Sequence, residues 1–200
     1  MSGWRGRRAR LWAAKVMATT RVITDEELLR LPKDGNKYEL VDGGLRVSPA
    51  GWAHERVVAR LLARMSAWVE ARGLGDVLGS NALYVLPGGN KRAPYLSFVA
   101  SGRLDDAGGS AWLALTPDLA VEVVSPEDSA RQLLDTVGEY LAAGVRLVWV
   151  IDPQPRSAAA YRSPTDVREI GPSGSLDGDD VLPGFLCPLA EIFPAPTAAR

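Results

Sequence analysis

Between His54 and Ala71, Val57, Val58, Leu61, Leu62, Met65, Trp68 and Val69 recur at three- and four-residue steps, the spacing of one helix face. Arg56, Arg60, Arg64 and Glu70 fall largely elsewhere, and Gly73 and Gly75 close the segment. A shorter helix precedes it, with Thr24 as N-cap, Glu26 and Glu27 in its first turn, an end at Arg30, and Pro32 and Gly35 as stops. Tyr38–Val41 and Leu45–Val47 read as two strands joined by the turn Asp42-Gly43-Gly44, with Pro49 ending the hairpin.

Strands follow at Asp76–Gly79, Ala82–Leu86 and, after the turn Pro87-Gly88-Gly89-Asn90, Leu96–Ala100. Residues 101–110 are Gly- and Asp-rich and predict an exposed loop. Leu119–Val124 is nearly all apolar, the pattern of a central strand covered on both faces. Asp128 or Ser129 then caps a helix through Ala143 that ends at Gly144. Leu147–Ile151 is a second buried strand, and Ala158–Arg162 with Val167–Ile170 an edge hairpin. The remainder is Gly- and Pro-rich, with a last turn near Leu189–Phe193. Strand, helix and strand over 119–151 imply a parallel pair with a right-handed crossover. With the antiparallel hairpin this predicts an α/β fold, a mixed sheet with helices on its faces.

Two hundred residues suit one domain with a real core. No apolar run reaches the roughly 18 residues of a membrane span. Cys187 is the only cysteine, which excludes an internal disulfide and a CxxC metal site; a reducing cytoplasm is the expected compartment. Lysine is scarce: Lys15, Lys33, Lys37 and Lys91 are the full set, so nothing after Lys91 supplies an ε-ammonium.

Residues 1–20 carry five basic residues and no acid, so residues 21–200 carry −6 of the net −1. An acidic body argues against broad attraction to nucleic acid but leaves room for a local basic groove. The first 20 residues read as a basic, disordered extension: an arm for nucleic acid or anionic membrane, a signal peptide interrupted by Lys15, or upstream sequence ahead of a start at Met17. The body is expected to run over 21–193, with 194–200 as a tail.

One residue breaks the apolar pattern. Glu122 lies inside the central strand, where a carboxylate is rarely buried without a partner. Around it the blocks Tyr38-Glu39-Leu40-Val41-Asp42-Gly43, His54, Pro94-Tyr95-Leu96-Ser97-Phe98-Val99, Pro117-Asp118-Leu119-Ala120-Val121-Glu122-Val123-Val124-Ser125-Pro126, Glu139-Tyr140-Leu141-Ala142-Ala143-Gly144-Val145 and Trp149-Val150-Ile151-Asp152-Pro153 follow in order. From about residue 21 to Phe193 the chain closely resembles the Uma-type family of restriction endonucleases, within the PD-(D/E)XK nuclease superfamily.

That resemblance implies a restriction-endonuclease-like core of mixed sheet and flanking helices, acting on nucleic acid phosphodiesters with Mg²⁺ or Mn²⁺. The family's Asp and Glu hold the metal, and a Lys positions or activates the attacking water. A hard cation wants such oxygen ligands and lowers the pKa of its bound water. Glu122 matches the sheet carboxylate and Glu39 the acid ahead of the Asp-Gly turn. The family's Pro-Asp is Pro94-Tyr95 here, its helix lysine is Thr136, and its Asp-Gly-Glu is Asp42-Gly43-Gly44.

The candidate catalytic set is therefore Glu39, Tyr95, Glu122, Thr136 and His54, and the candidate metal ligands are Glu122 and Asp135, the latter swinging in from the helix. Asp118 lies four residues before Glu122, about 13 Å along a strand, too far to share one ion. Arg131 could clamp phosphate but cannot accept a proton from water. Each assignment has a plainer alternative. Glu122 could pair structurally with Arg131 or Arg146, Glu39 could form a solvated pair with Lys37, and His54 could be a core-edge histidine. Tyr140 faces either the site or the packing, Trp149 is core, and Arg56, Arg60 and Arg64 meet either water or a nucleic-acid backbone. The expected function is a nuclease impaired in this copy, or an inactive relative that binds nucleic acid or protein. Nucleic acid and a second copy of the chain are the candidate partners, and a membrane is not.

Overall fold

A computed structural model describes residues 23–193 apart from 33, 35, 49–50, 106–110 and 126–128. The basic stretch 1–20, the tail 194–200 and the alternative cap Asp128 lie outside the described residues. The elements in order are α1 (Asp25–Leu29), β1 (Lys37–Val41), β2 (Gly44–Ser48), α2 (Trp52–Glu70), β3 (Gly75–Gly79), β4 (Tyr84–Val85), β5 (Lys91–Arg92) and β6 (Leu96–Ala100). They continue as β7 (Leu119–Val123), α3 (Ala130–Ala142), β8 (Leu147–Asp152), β9 (Ser157–Tyr161), β10 (Val167–Ile170), β11 (Ser175–Asp177), β12 (Leu186–Pro188) and α4 (Leu189–Ile192).

Local chemistry sets the boundaries. Thr24 and Glu27 form a reciprocal capping box on α1, and Ser129 with Gln132 does the same on α3. Asp42 and Gly43 both take positive φ (51° and 75°), as a two-residue hairpin turn demands. Gly144 (φ 96°) turns the chain out of α3 into β8.

The main sheet has six strands in the order β10-β9-β8-β7-β6-β3, and its single parallel pair is β7–β8, bridged by α3. This is the expected mixed sheet, but the antiparallel hairpin counted into it from sequence lies outside it. The hairpin β1–β2 joins β5 and β4 in a separate four-stranded antiparallel sheet, and β11–β12 form a two-stranded ribbon. That ribbon falls in the segment read from sequence as irregular: three-residue strands among Gly and Pro carry no detectable alternation.

Both faces of β7 are covered, as its apolar run requires. Leu119, Val121 and Val123 face α2, where Val57, Leu61, Met65 and Val69 are at most 1% exposed. Each such side chain contributes about 1.5–3 kcal/mol relative to leaving it in water. Ala120 faces Val137 and Tyr140 of α3, together with Tyr84 and Val99. Alternation puts Glu122 on that second face, beneath α3 and beside the smaller sheet. No helix among the described residues is long and apolar enough to cross a membrane.

Candidate active site

β1 brings two charges into the gap between the sheets. Lys37 and Glu39 share its inner face, and Tyr38 between them turns the other way to donate its hydroxyl to Asp34 (2.9 Å). Lys37, Glu39 and Glu122 are 8%, 4% and 5% exposed. Lys37 Nζ donates to Glu122 Oε2 at 3.2 Å and stands 3.8 Å from Glu39 Oε1. The Tyr140 hydroxyl donates to Glu122 Oε1 at 2.8 Å.

Glu39 is held from β5, which pairs with β1 through Leu40 and Lys91. The Ala93 N–H donates to its Oε1 at 2.9 Å, and Arg92 Nη1 lies 3.7 Å from its Oε2. Arg92 is itself 1% exposed, and its Nε donates to Glu139 Oε2 at 2.7 Å. The Asn90 amide donates to the other Glu139 oxygen (3.1 Å) while its carbonyl accepts from the Asp42 N–H (2.8 Å), tying the β1–β2 turn to α3.

Tyr95, just ahead of β6, slides its ring under this cluster, 4.3 Å from Lys37 Nζ, and meets the His54 ring edge-on at 5.6 Å. His54 donates from Nε2 to the Val124 carbonyl at 2.6 Å, since a carbonyl only accepts. Its Nδ1 is buried without a hydrogen bond among the described residues.

The structure thus brings Glu39, Tyr95, Glu122 and His54 to one place and leaves two other candidates apart. Thr136 is buried on the inner face of α3, but its hydroxyl donates back to the Gln132 carbonyl (2.9 Å) within its own helix. Asp135 does not swing toward Glu122. It sits about 100° around the helix from Thr136, 64% exposed, with Arg131 at 3.9 Å. The plainer pairing expected for Glu122 fails as well. Arg131 is 92% exposed, while Arg146 serves Asp118 and Asp180. Asp118 belongs to a separate clamp, accepting from Arg103 Nη1 (2.5 Å) and the Ala100 N–H (2.8 Å).

Lys37, which entered from sequence only through the alternative of a solvated pair with Glu39, is instead the buried cation of the cluster. Its signal was there: Lys37 and Glu39 lie two apart on a strand, hence on one face, and Glu39 was already a candidate. Arg92, Asn90 and Glu139 were also missed, and only Glu139, beside Tyr140, lay within a quoted motif.

Charge and burial compete here. Burial pushes the Lys37 ammonium down, but the joint attraction of Glu122 and Glu39 outweighs it and holds the amine well above its ordinary value. Lys37 is therefore a fixed cation and hydrogen-bond donor, not a base. Burial raises the Glu122 carboxyl, Lys37 opposes that and Glu39 adds to it, for a net upward shift. Burial beside Glu122 and Glu39 also keeps the Tyr140 phenol protonated.

A hard divalent cation would need several free oxygens here. Both Glu122 oxygens and Glu39 Oε1 already accept hydrogen bonds, and an ammonium lies between the two carboxylates. Among the described residues no three His, Cys, Asp or Glu side chains gather into a metal-holding group. As arranged, these residues do not fit Mg²⁺ or Mn²⁺.

A crystal structure of “a putative nuclease belonging to DUF820” from Anabaena variabilis superimposes with a TM-score of 0.74, covering 86% of this chain and 97% of that one at 17% identity. At that identity the likeness speaks for the fold. No curated protein matches the sequence. The profile of the Uma2 family, described as “Putative restriction endonuclease”, matches residues 25–190. With that match spanning most of its length, the chain belongs to the Uma2 family.

Proposed function

We propose that this chain is a restriction-endonuclease-like domain directed at nucleic acid phosphodiesters, with its metal-assisted hydrolysis impaired at Tyr95. The observation that carries this reading is the seat of that side chain, against Lys37 and His54 at the centre of the buried cluster. A phenol there is a poorer ligand for a hard cation than the carboxylate that the family supplies.

The second departure, Thr136, matters less. The ammonium that the family carries on the helix is carried here by Lys37 from β1, 3.2 Å from the same sheet carboxylate. Such a fixed cation can offset the charge that builds on a phosphate under attack.

Incubation with Mg²⁺ or Mn²⁺ and single-stranded DNA, double-stranded DNA or RNA tests this. The natural sequence is expected to give no metal-dependent cleavage above background. Tyr95→Asp alone, without a lysine at 136, is expected to create cleavage that Glu122→Gln removes. Cleavage by the natural sequence that Glu122→Gln abolishes overturns the impairment.

A second reading, an inactive relative that binds nucleic acid or protein, is favoured by the engagement of both Glu122 oxygens within the fold. It predicts metal-independent retention of labelled DNA, RNA or a protein partner, and no cleavage by folded Tyr95→Asp.

A further inference from the structure

We propose that Lys37 is a resident counter-ion of this centre. Its ammonium holds the ground between Glu39 and Glu122 that a divalent cation would need, and removing that one amine creates a cation site from residues already in place. The inference rests on the reading above for the identity of the centre and adds to Tyr95 a second reason why the natural sequence excludes divalent ions, one that an acid at 95 would offset by bringing the centre to two net negative charges.

The geometry is that of a cation held by two carboxylates. Nζ stands 3.2 Å from Glu122 and 3.8 Å from Glu39, and below it lies the Tyr95 ring, whose face also attracts positive charge. A divalent ion would need the same lone pairs at closer range, about 2.0–2.2 Å, and would repel the ammonium. Lys37 is tethered, so it competes at high effective concentration. It is also buried, so displacement would leave it charged and unpaired.

The charge balance points the same way. Glu39, Glu122 and Glu139 face Lys37 and Arg92, which leaves one net negative charge when all five are ionised. A divalent ion would overshoot that charge. Without Lys37 the remainder is two negative charges, which one divalent ion neutralises. Arg92 does not substitute for the lysine, because its Nε is committed to Glu139 at 2.7 Å and its Nη1 lies 3.7 Å from Glu39.

The test is a Mn²⁺ titration of the full chain, followed by electron paramagnetic resonance at neutral pH. The natural sequence should show no saturable binding below about 1 mM. Lys37→Gln and Lys37→Met should each bind one Mn²⁺ at least about tenfold more tightly, and Lys37→Gln combined with Glu122→Gln should lose that binding. Glu122-dependent binding of one Mn²⁺ below about 1 mM by the natural sequence overturns the proposal, whether or not any variant folds. So does the failure of both lysine variants, folded by circular dichroism, to bind better than the natural sequence. A lysine variant that folds only with Mn²⁺, with a melting temperature that rises with the ion, supports it. Because the readout is ion occupancy, a cation site in the lysine variants with no cleavage by Tyr95→Asp would sustain this inference while sinking the nuclease reading.

Discussion

Lys37 and Glu122 lie 85 residues apart in the chain, and their charged ends meet at 3.2 Å with each side chain less than a tenth exposed. The contact joins the smaller sheet to the main one. A buried pair of this kind is costly to break from one side, because the surviving charge is left without water or partner.

Lys37→Met should therefore destabilise the fold by about 3–5 kcal/mol at neutral pH. Replacing both partners, as Lys37→Met with Glu122→Leu, should return most of that loss, since apolar replacement of a buried pair is often neutral or better. Urea unfolding of the two variants and the natural sequence gives the comparison. A double variant no more stable than the single one would mean that the pair is not the energetic unit described.

Acid should favour the natural sequence over Glu122→Gln. The Glu122 carboxyl is raised above its ordinary 4.5, so it binds a proton more tightly folded than unfolded. Its contribution is fully present below the ordinary value and is lost as pH rises through the folded one. The stability of the natural sequence relative to Glu122→Gln should thus increase as pH falls from neutrality toward 4.5, read from paired urea melts. A difference that is flat, or of opposite slope, contradicts the dominance of burial over the Lys37 attraction.

Asp118 is a further buried acid, just ahead of β7 and in a Pro-Asp pair, yet its oxygens serve Arg103, Arg146 and the Ala100 N–H. Asp118→Asn should cost about 1–3 kcal/mol of stability by leaving charge-assisted bonds unmade. In a Tyr95→Asp background it should leave the Mn²⁺ affinity unchanged. A loss of ion binding there would place Asp118 in the centre after all.

Much of this was legible in the sequence where short-range periodicity governs. The three-to-four spacing of Val57, Leu61, Met65 and Val69 locates α2, and the apolar run around Glu122 marks a covered strand with one anomalous charge. Glu39, which the structure places beside Glu122 and Lys37, lay within a quoted motif. Lys37 was misread because its partner was sought locally, whereas its strongest contact crosses two sheets, and no pattern along the chain reports which strand faces which. Asp135 failed for a reason that helix phase already contained: Thr136 and Tyr140, four apart, define the inward row, and Asp135 pairs outward with Arg131. The β11–β12 ribbon is too short for alternation to register.

On the proposed reading, a lysine from β1 serves this centre and an acid lost at position 95 cost it its chemistry. Single-turnover cleavage of a labelled DNA duplex with Mn²⁺, by Tyr95→Asp with and without Lys37→Met, puts both statements to one measurement. Tyr95→Asp should cut, and adding Lys37→Met should leave the ion bound but slow cutting by about a hundredfold or more, the loss expected for one charge-stabilising donor. Equal rates with and without Lys37, or no cutting by the folded Tyr95→Asp protein, would contradict it.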